Sequence, residues 1–187
     1  MNIVVQGGTI MRELWDVYDR YGNRIEGRVA VRGKHDLKDH EYHLIVYVWI
    51  IGDDGKIILS RRQKGKAFAG AWECTGGCAM KGEDSLTAAL REVKEELGLE
   101  LSPEFGEFYT RYRRNYPKGS QALCDVWVFR QSYSLEDLSP QKEEVSAIRT
   151  VTREELEAMA DAGVFSKRYL YLPAMLKQFC APKEPSV

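Results

Sequence analysis

Residues 77–99, GCAMKGEDSLTAALREVKEELGL, carry more acid on one short helix than architecture alone requires. At about 100° per residue, Leu86, Ala89, Leu90, Val93 and Leu97 fall within roughly 60° of one line and form a buried stripe. Glu92, Glu95 and Glu96 fall outside that stripe, spaced i, i+3 and i+4, so their carboxylates are neighbours. Like charges so placed cost a helix a few tenths of a kcal/mol per pair. Arg91 and Lys94 relieve part of that repulsion, and an oxygen-preferring divalent cation, Mg²⁺ or Mn²⁺, relieves it more completely. Asp84 or Ser85 suits the N-cap and Gly98 the left-handed C-terminal stop, giving a helix of about three to four turns. Taken alone, REVKEEL reads as a solvated helical face.

The wider pattern outweighs that reading. From Gly77, five residues lead to Glu83 and seven more to Arg91-Glu92, followed by apolar Val93, Glu95-Glu96, Gly98 and apolar Leu99. These nine positions coincide by chance on the order of once in a billion windows. The stretch resembles the complete Nudix box, G-x5-E-x7-R-E-U-x-E-E-x-G-U with U apolar, and every fixed position is met. Three flanking segments, WDVYDRYGNR, SRRQKGKAFAGAW and EEVSAIRTVTREEL, are similar to the Nudix branch that groups hydrolases with isopentenyl-diphosphate isomerase-like proteins.

The 187 residues suit one domain, with an N-terminal hairpin arm over 1–31 and a flexible tail over 181–187. A formal charge of −1 gives no global field for nucleic acid or an anionic membrane, so phosphate binding must be local. The longest apolar run, 44–51, is far short of the roughly 20 residues that span a bilayer. Residues 1–11 lack the pattern of a secretory signal, and the expected location is cytoplasmic. Cys74 and Cys78 form a C-x3-C pair with no second pair following, which argues against structural zinc and for free thiols.

Alternation predicts strands over 13–19 and 24–31, with a turn at Tyr21-Gly22-Asn23. Further strands are expected over 44–51, 56–61, 105–116, 122–129 and 145–151, with a short one entering the box. Thr152 and Glu155 make a capping box for a helix carrying Leu156 and Met159, and a last helix begins near Ser166. This order argues a mixed sheet between helical layers, in agreement with the α/β/α sandwich that the resemblance implies. The basic loop with Arg61, Arg62, Lys64 and Lys66 suits a diphosphate as well as plain solvation. The segment with Tyr109, Arg111, Tyr112, Arg113, Arg114 and Tyr116 suits an anionic ligand or an ordinary amphipathic strand; Arg111 and Arg113 are taken as candidate contacts. Trp72 reads as a packing residue. His35 and His40 read as polar loop residues, whereas His43 opens a strand.

By resemblance, Glu95 and Glu96 would be the core metal ligands, Glu92 a ligand or base, Arg91 the group orienting Glu92, and the Gly76 carbonyl a further ligand. Glu83 would sit close to the metal. A later glutamate usually serves as base or extra ligand, and Glu143 and Glu144 are the candidates, ahead of Glu136 and Asp137. The implied enzyme is a Mg²⁺- or Mn²⁺-dependent hydrolase of a nucleoside diphosphate derivative or other X-linked diphosphate, and family members commonly form homodimers. Two alternatives stand beside it. An isomerase would need cysteine and histidine where this chain has Gly76 and Cys78, and two glutamates where it has Ser120 and Ala122; only His43 matches. A non-catalytic ligand-sensing domain would typically lose box glutamates, which are intact here.

Overall fold

The computed structural model describes residues 4–6, 9–11, 13–65, 68–115, 121–165 and 169–180. Lys66, Tyr116, residues 166–168 and the tail 181–187 lie outside them, and the last described helix begins at Leu172 rather than near Ser166. The strands are β1 (Val4–Gln6), β2 (Thr9–Met11), β3 (Leu14–Tyr18), β4 (Arg24–Val31), β5 (His43–Ile51), β6 (Ile57–Arg62), β7 (Trp72–Glu73) and β8 (Thr75–Cys78). Helix α1 (Ser85–Leu97) precedes β9 (Gly106–Arg114), β10 (Ala122–Arg130) and β11 (Val145–Val151), and α2 (Arg153–Asp161) and α3 (Leu172–Phe179) close the chain. Among the described residues no helix is long and apolar enough to cross a membrane.

Seven strands form one mixed sheet in the order β11-β6-β5-β10-β9, with β7 paired to β6 and β8 to β5. β5 lies parallel to β10 and antiparallel to its other neighbours. Its near-continuous run of β-branched and aromatic residues fits a strand covered on both faces. Leu44, Val46, Val48 and Ile50 meet the α1 layer, including Ala89, Val93 and Leu97. Tyr47, Trp49 and Ile51 meet the α2 and α3 layer, including Leu156, Met175 and Leu176. The result is an α/β/α sandwich, and each fully buried aliphatic or aromatic side chain contributes about 1.5–3 kcal/mol to holding it.

The ends of α1 are set by local chemistry. Asp84 caps it by accepting a hydrogen bond from Thr87 N at 2.7 Å. Gly98 ends it at φ 69°, and a Cβ there would stand 2.9 Å from the Ser139 Cβ, so conformation and space both require glycine. The loop after β10 satisfies terminal carbonyls of the helix: Ser139 N donates to Leu97 O at 2.8 Å and Gln141 N to Glu96 O at 3.1 Å. The capping box at Thr152 and Glu155 is present in full.

The β3-β4 hairpin docks onto the loop that leads into α1. Lys81 N donates to Leu14 O at 2.8 Å, and Gly82 N to Asp16 Oδ2 at 2.8 Å. Tyr18 and Tyr42 exchange backbone hydrogen bonds, and Trp15 stacks on His43 with ring centroids 4.2 Å apart. The expected single short strand before α1 is two, β7 on β6 and β8 on β5, because the chain switches partners at Cys74.

Candidate active site

The acidic side of α1 faces β8 rather than open water. β8 runs beside β5 with Gly76 opposite Tyr47 and Gly77 opposite Val46. A Cβ at Gly76 would stand 2.2 Å from Val46 O, and one at Gly77 would stand 2.3 to 2.5 Å from both carboxylate oxygens of Glu92. Gly76 therefore lets β8 lie close against β5, and Gly77 lets the helix edge press the Glu92 carboxylate onto the strand. Glu92 and Glu96 are largely withdrawn from solvent and Glu95 is exposed. Gly76 N donates to Glu96 Oε2 at 3.4 Å.

Arg91 ties this edge together. Its Nε and Nη2 donate to the two oxygens of Glu83 at 2.7 and 2.9 Å, and Nη2 also donates to Cys78 O at 3.0 Å. Its Nη1 donates to Glu92 Oε1 and Glu95 Oε2, both at 3.0 Å. Burial opposes the guanidinium's charge, but the Glu83 hydrogen bonds and the Glu92 charge outweigh it and raise its proton affinity. Glu83 also accepts from Met80 N at 2.8 Å, so the structure spends this carboxylate on Arg91 and the loop rather than presenting it to the cavity.

A cavity of about 860 Å³ opens along the edge. Its lining brings together Arg62, Gly76, Arg91, Glu92, Glu95, Glu96, Glu143 and Glu144, all expected from sequence, with Glu13, Arg32 and Glu73, which were not, and Arg114, from the expected aromatic-arginine segment in place of Arg111 and Arg113. Seven glutamates and four arginines thus surround one space. Burial, opposed by Arg91, pushes the Glu92 carboxyl up to about 7. Burial, then Glu92 and Glu73, hold Glu96 well above the ordinary carboxylate range, and Glu144 adds to the effect. Among the described residues no three carboxylate, imidazole or thiol groups stand together as a ready-made cation cage. The donor set nonetheless fits a hard divalent cation, being all oxygen, partly desolvated and in excess of the arginines.

Two further elements hold the walls. Glu144 N donates to Gln141 O at 2.9 Å and Gln63 N to Glu144 O at 2.8 Å, which fastens the Glu143-Glu144 turn to the end of β6. Buried Glu73 receives Arg62 Nη1 at 2.5 Å. From the hairpin, Arg32 Nη1 donates to Glu13 Oε2 at 2.6 Å. On the floor, Arg114 Nη1 donates to the Tyr47 hydroxyl at 2.6 Å. Burial, followed by Arg114 and Arg32, lowers His43 to about 4, so the imidazole is neutral near pH 7. Burial pushes the Cys78 thiol up to about 12, which leaves it unreactive.

Other expected contacts lie elsewhere. Arg61 donates to Gly70 O at 3.0 Å and sits over Trp72, and Lys64 is exposed; neither lines the cavity. Trp72, between Arg61 and Arg149, packs as expected. Arg111 pairs with fully buried Asp125 at 2.5 and 2.8 Å, and Arg113 shares its alternate face of β9, opposite to Arg114. His35 and His40 are exposed with φ of 50° and 68°. Glu136 and Asp137 form a single exposed 3₁₀ turn outside the cavity lining.

Comparison with known proteins identifies the family. The NUDIX domain model matches residues 41–172. An uncharacterized Nudix hydrolase of Listeria monocytogenes is 36% identical over 157 residues, covering 82% of this chain and 88% of the relative. The chain therefore belongs to the Nudix hydrolase family. A Deinococcus radiodurans crystal structure matches at TM-score 0.68 and 20% identity, covering 90% of this chain and all of that one. A bifunctional NMN adenylyltransferase/ADP-ribose pyrophosphatase of Francisella tularensis, complexed with AMP and a manganese ion, matches at TM-score 0.58 and 18% identity, covering 75% of this chain and 42% of that one.

Proposed function

We propose that this chain is a Mg²⁺- or Mn²⁺-dependent hydrolase that cleaves a diphosphate linkage in a nucleoside diphosphate derivative or other X-linked diphosphate. The observation that carries the reading is the desolvated carboxylate edge, Glu92 and Glu96 pressed onto Gly76-Gly77 beside Glu95. Glu92, Glu95, Glu96 and the Gly76 carbonyl would hold the cation, which when bound neutralises phosphate charge and lowers the pKa of a coordinated water. Arg91 fixes the rotamers of Glu92 and Glu95 through its two 3.0 Å hydrogen bonds, so the edge is oriented before substrate arrives. Glu144, anchored by Gln63 and Gln141, is the stronger candidate for the base that takes the water's proton, with the more exposed Glu143 beside it. Arg62, oriented by Glu73, is placed to meet a phosphate oxygen.

Gly76 also counts against the isomerase alternative. A cysteine at this position would drive its Cβ to 2.2 Å from Val46 O, so the proton-transfer thiol has no room. The test is a broad panel of nucleotide and non-nucleotide diphosphates with wild type, Glu92→Gln and Glu95→Gln. Mg²⁺-dependent turnover by wild type, reduced about 100-fold or more in the variants, is expected. No metal-dependent turnover, or turnover untouched by both changes, refutes the reading.

A further inference from the structure

The hydrolase reading accounts for the acidic edge of the cavity but leaves two arginines of its lining without a role. Arg32 reaches the space from the β3-β4 hairpin and Arg114 from the end of β9, so chain segments far apart in sequence converge there. Both guanidiniums lie close enough to His43 to disfavour its protonated form, and Arg32 also senses the charge of Glu92. The two line the same cavity as the catalytic edge. Among the described residues, the side-chain partner of Arg32 is Glu13, bound through Nη1 alone. A guanidinium carries five N–H donors in a planar fork suited to phosphate, so most of this fork is available to a ligand.

The hairpin that carries Arg32 is fastened at several points. Arg32 N donates to Glu13 O at 3.0 Å, closing the open end of the hairpin, while the Leu14 and Asp16 bonds to residues 81–82 and the Trp15–His43 stack fix the hairpin to the sheet. Glu13 therefore aims Arg32, and the Tyr47 hydroxyl aims Arg114. The volume of about 860 Å³ leaves room for groups beyond one diphosphate.

We propose that Arg32, with Arg114 on the floor, forms an anion subsite for a phosphoryl group of the substrate beyond the diphosphate held at the carboxylate edge. The preferred substrates are then diphosphate derivatives that carry a further phosphate. This deepens the hydrolase reading and rests on it. Neither arginine moves a proton or breaks a bond; both set which substrates bind.

The experiment titrates inorganic tripolyphosphate by calorimetry into the full chain freed of metal, using wild type, Arg32→Gln, Arg32→Lys, Arg114→Gln and, as a control at an exposed position of α3 outside the cavity lining, Lys177→Gln. The expected result is measurable binding by wild type and Lys177→Gln, weakened about tenfold or more in both glutamine variants and less in Arg32→Lys. Thermal melting checks that each variant folds, and Arg32→Lys keeps the test decisive should Arg32→Gln not fold. With metal, Arg32→Gln should raise KM for triphosphate-bearing substrates far more than for matched diphosphates, at nearly constant kcat. Absence of tripolyphosphate binding by wild type, or unchanged affinity in either glutamine variant, overturns the proposal. Failure of the hydrolase reading itself shows separately, as no metal-dependent turnover by wild type.

Discussion

Replacing Gly77 with alanine tests whether the close passage of α1 over β8 sets the catalytic geometry. Gly77 does not occupy the left-handed region, so alanine meets no backbone penalty there. Its Cβ would instead stand 2.3 to 2.5 Å from the Glu92 carboxylate. Ordinary contact is about 3.5 Å, so the carboxylate must retreat by about 1 Å. Because that carboxylate ends a flexible side chain, the move costs stability only about 1 kcal/mol. It pulls Glu92 from its 3.0 Å bond to Arg91, however, and a 1 Å misplacement in a reacting centre costs on the order of 100-fold in rate. Steady-state kinetics with Mg²⁺ and a thermal melt separate the two effects. The expected outcome is a kcat about 100-fold below wild type with Tm lowered by about 2–4 °C. Gly82→Ala is the control, since φ there is +89° and a Cβ meets nothing within 4 Å: it should cost stability and spare kcat. Near wild-type kcat in Gly77→Ala would refute the reasoning.

Raising Glu92 from 4.5 to about 7 makes the folded chain hold this proton longer than the unfolded chain does. The stability so gained is fully present below about pH 4.5 and is lost as pH rises through 7, a change of at most about 3 kcal/mol. Chemical denaturation of the metal-free protein from pH 5 to 8 should show Glu92→Gln gaining on wild type as pH rises, and a constant difference would contradict this. Glu83→Gln leaves Arg91 without its two-point partner, so kcat should fall about tenfold to 100-fold and stability by about 1–3 kcal/mol, measured by kinetics and denaturation.

Helix α1 was legible because its stripe, its Asp84 cap and its Gly98 stop are local signals, and the box pattern fixed the order of its acids. The side those acids face was not legible. A helical wheel places Glu95 opposite the apolar stripe and Glu92 and Glu96 at its flank, and the absence of a side chain at Gly77 is what lets β8 come against Glu92. On β9 the alternation was visible but its phase was not, because both faces mix tyrosine or phenylalanine with arginine. Pairing with β10, Tyr112 opposite Cys124 and Arg111 opposite Asp125, sends Arg114 to the cavity and Arg111 to a buried carboxylate. Glu13, Arg32 and Glu73 carried no motif. Glu13 and Arg32 reach the cavity through contacts between residues distant in sequence, from Leu14 to Lys81, Asp16 to Gly82 and Tyr18 to Tyr42, and the hairpin that sequence presents as an arm becomes a wall.

The most direct measurement is Mn²⁺ binding followed by electron paramagnetic resonance on wild type, Glu92→Gln, Glu96→Gln and Lys177→Gln, with and without a diphosphate. A metal platform on the edge of α1 predicts Mn²⁺ binding by wild type and Lys177→Gln, weakened about tenfold or more by loss of either buried carboxylate. Equal affinity in all four proteins, or no bound Mn²⁺ under either condition, would contradict it.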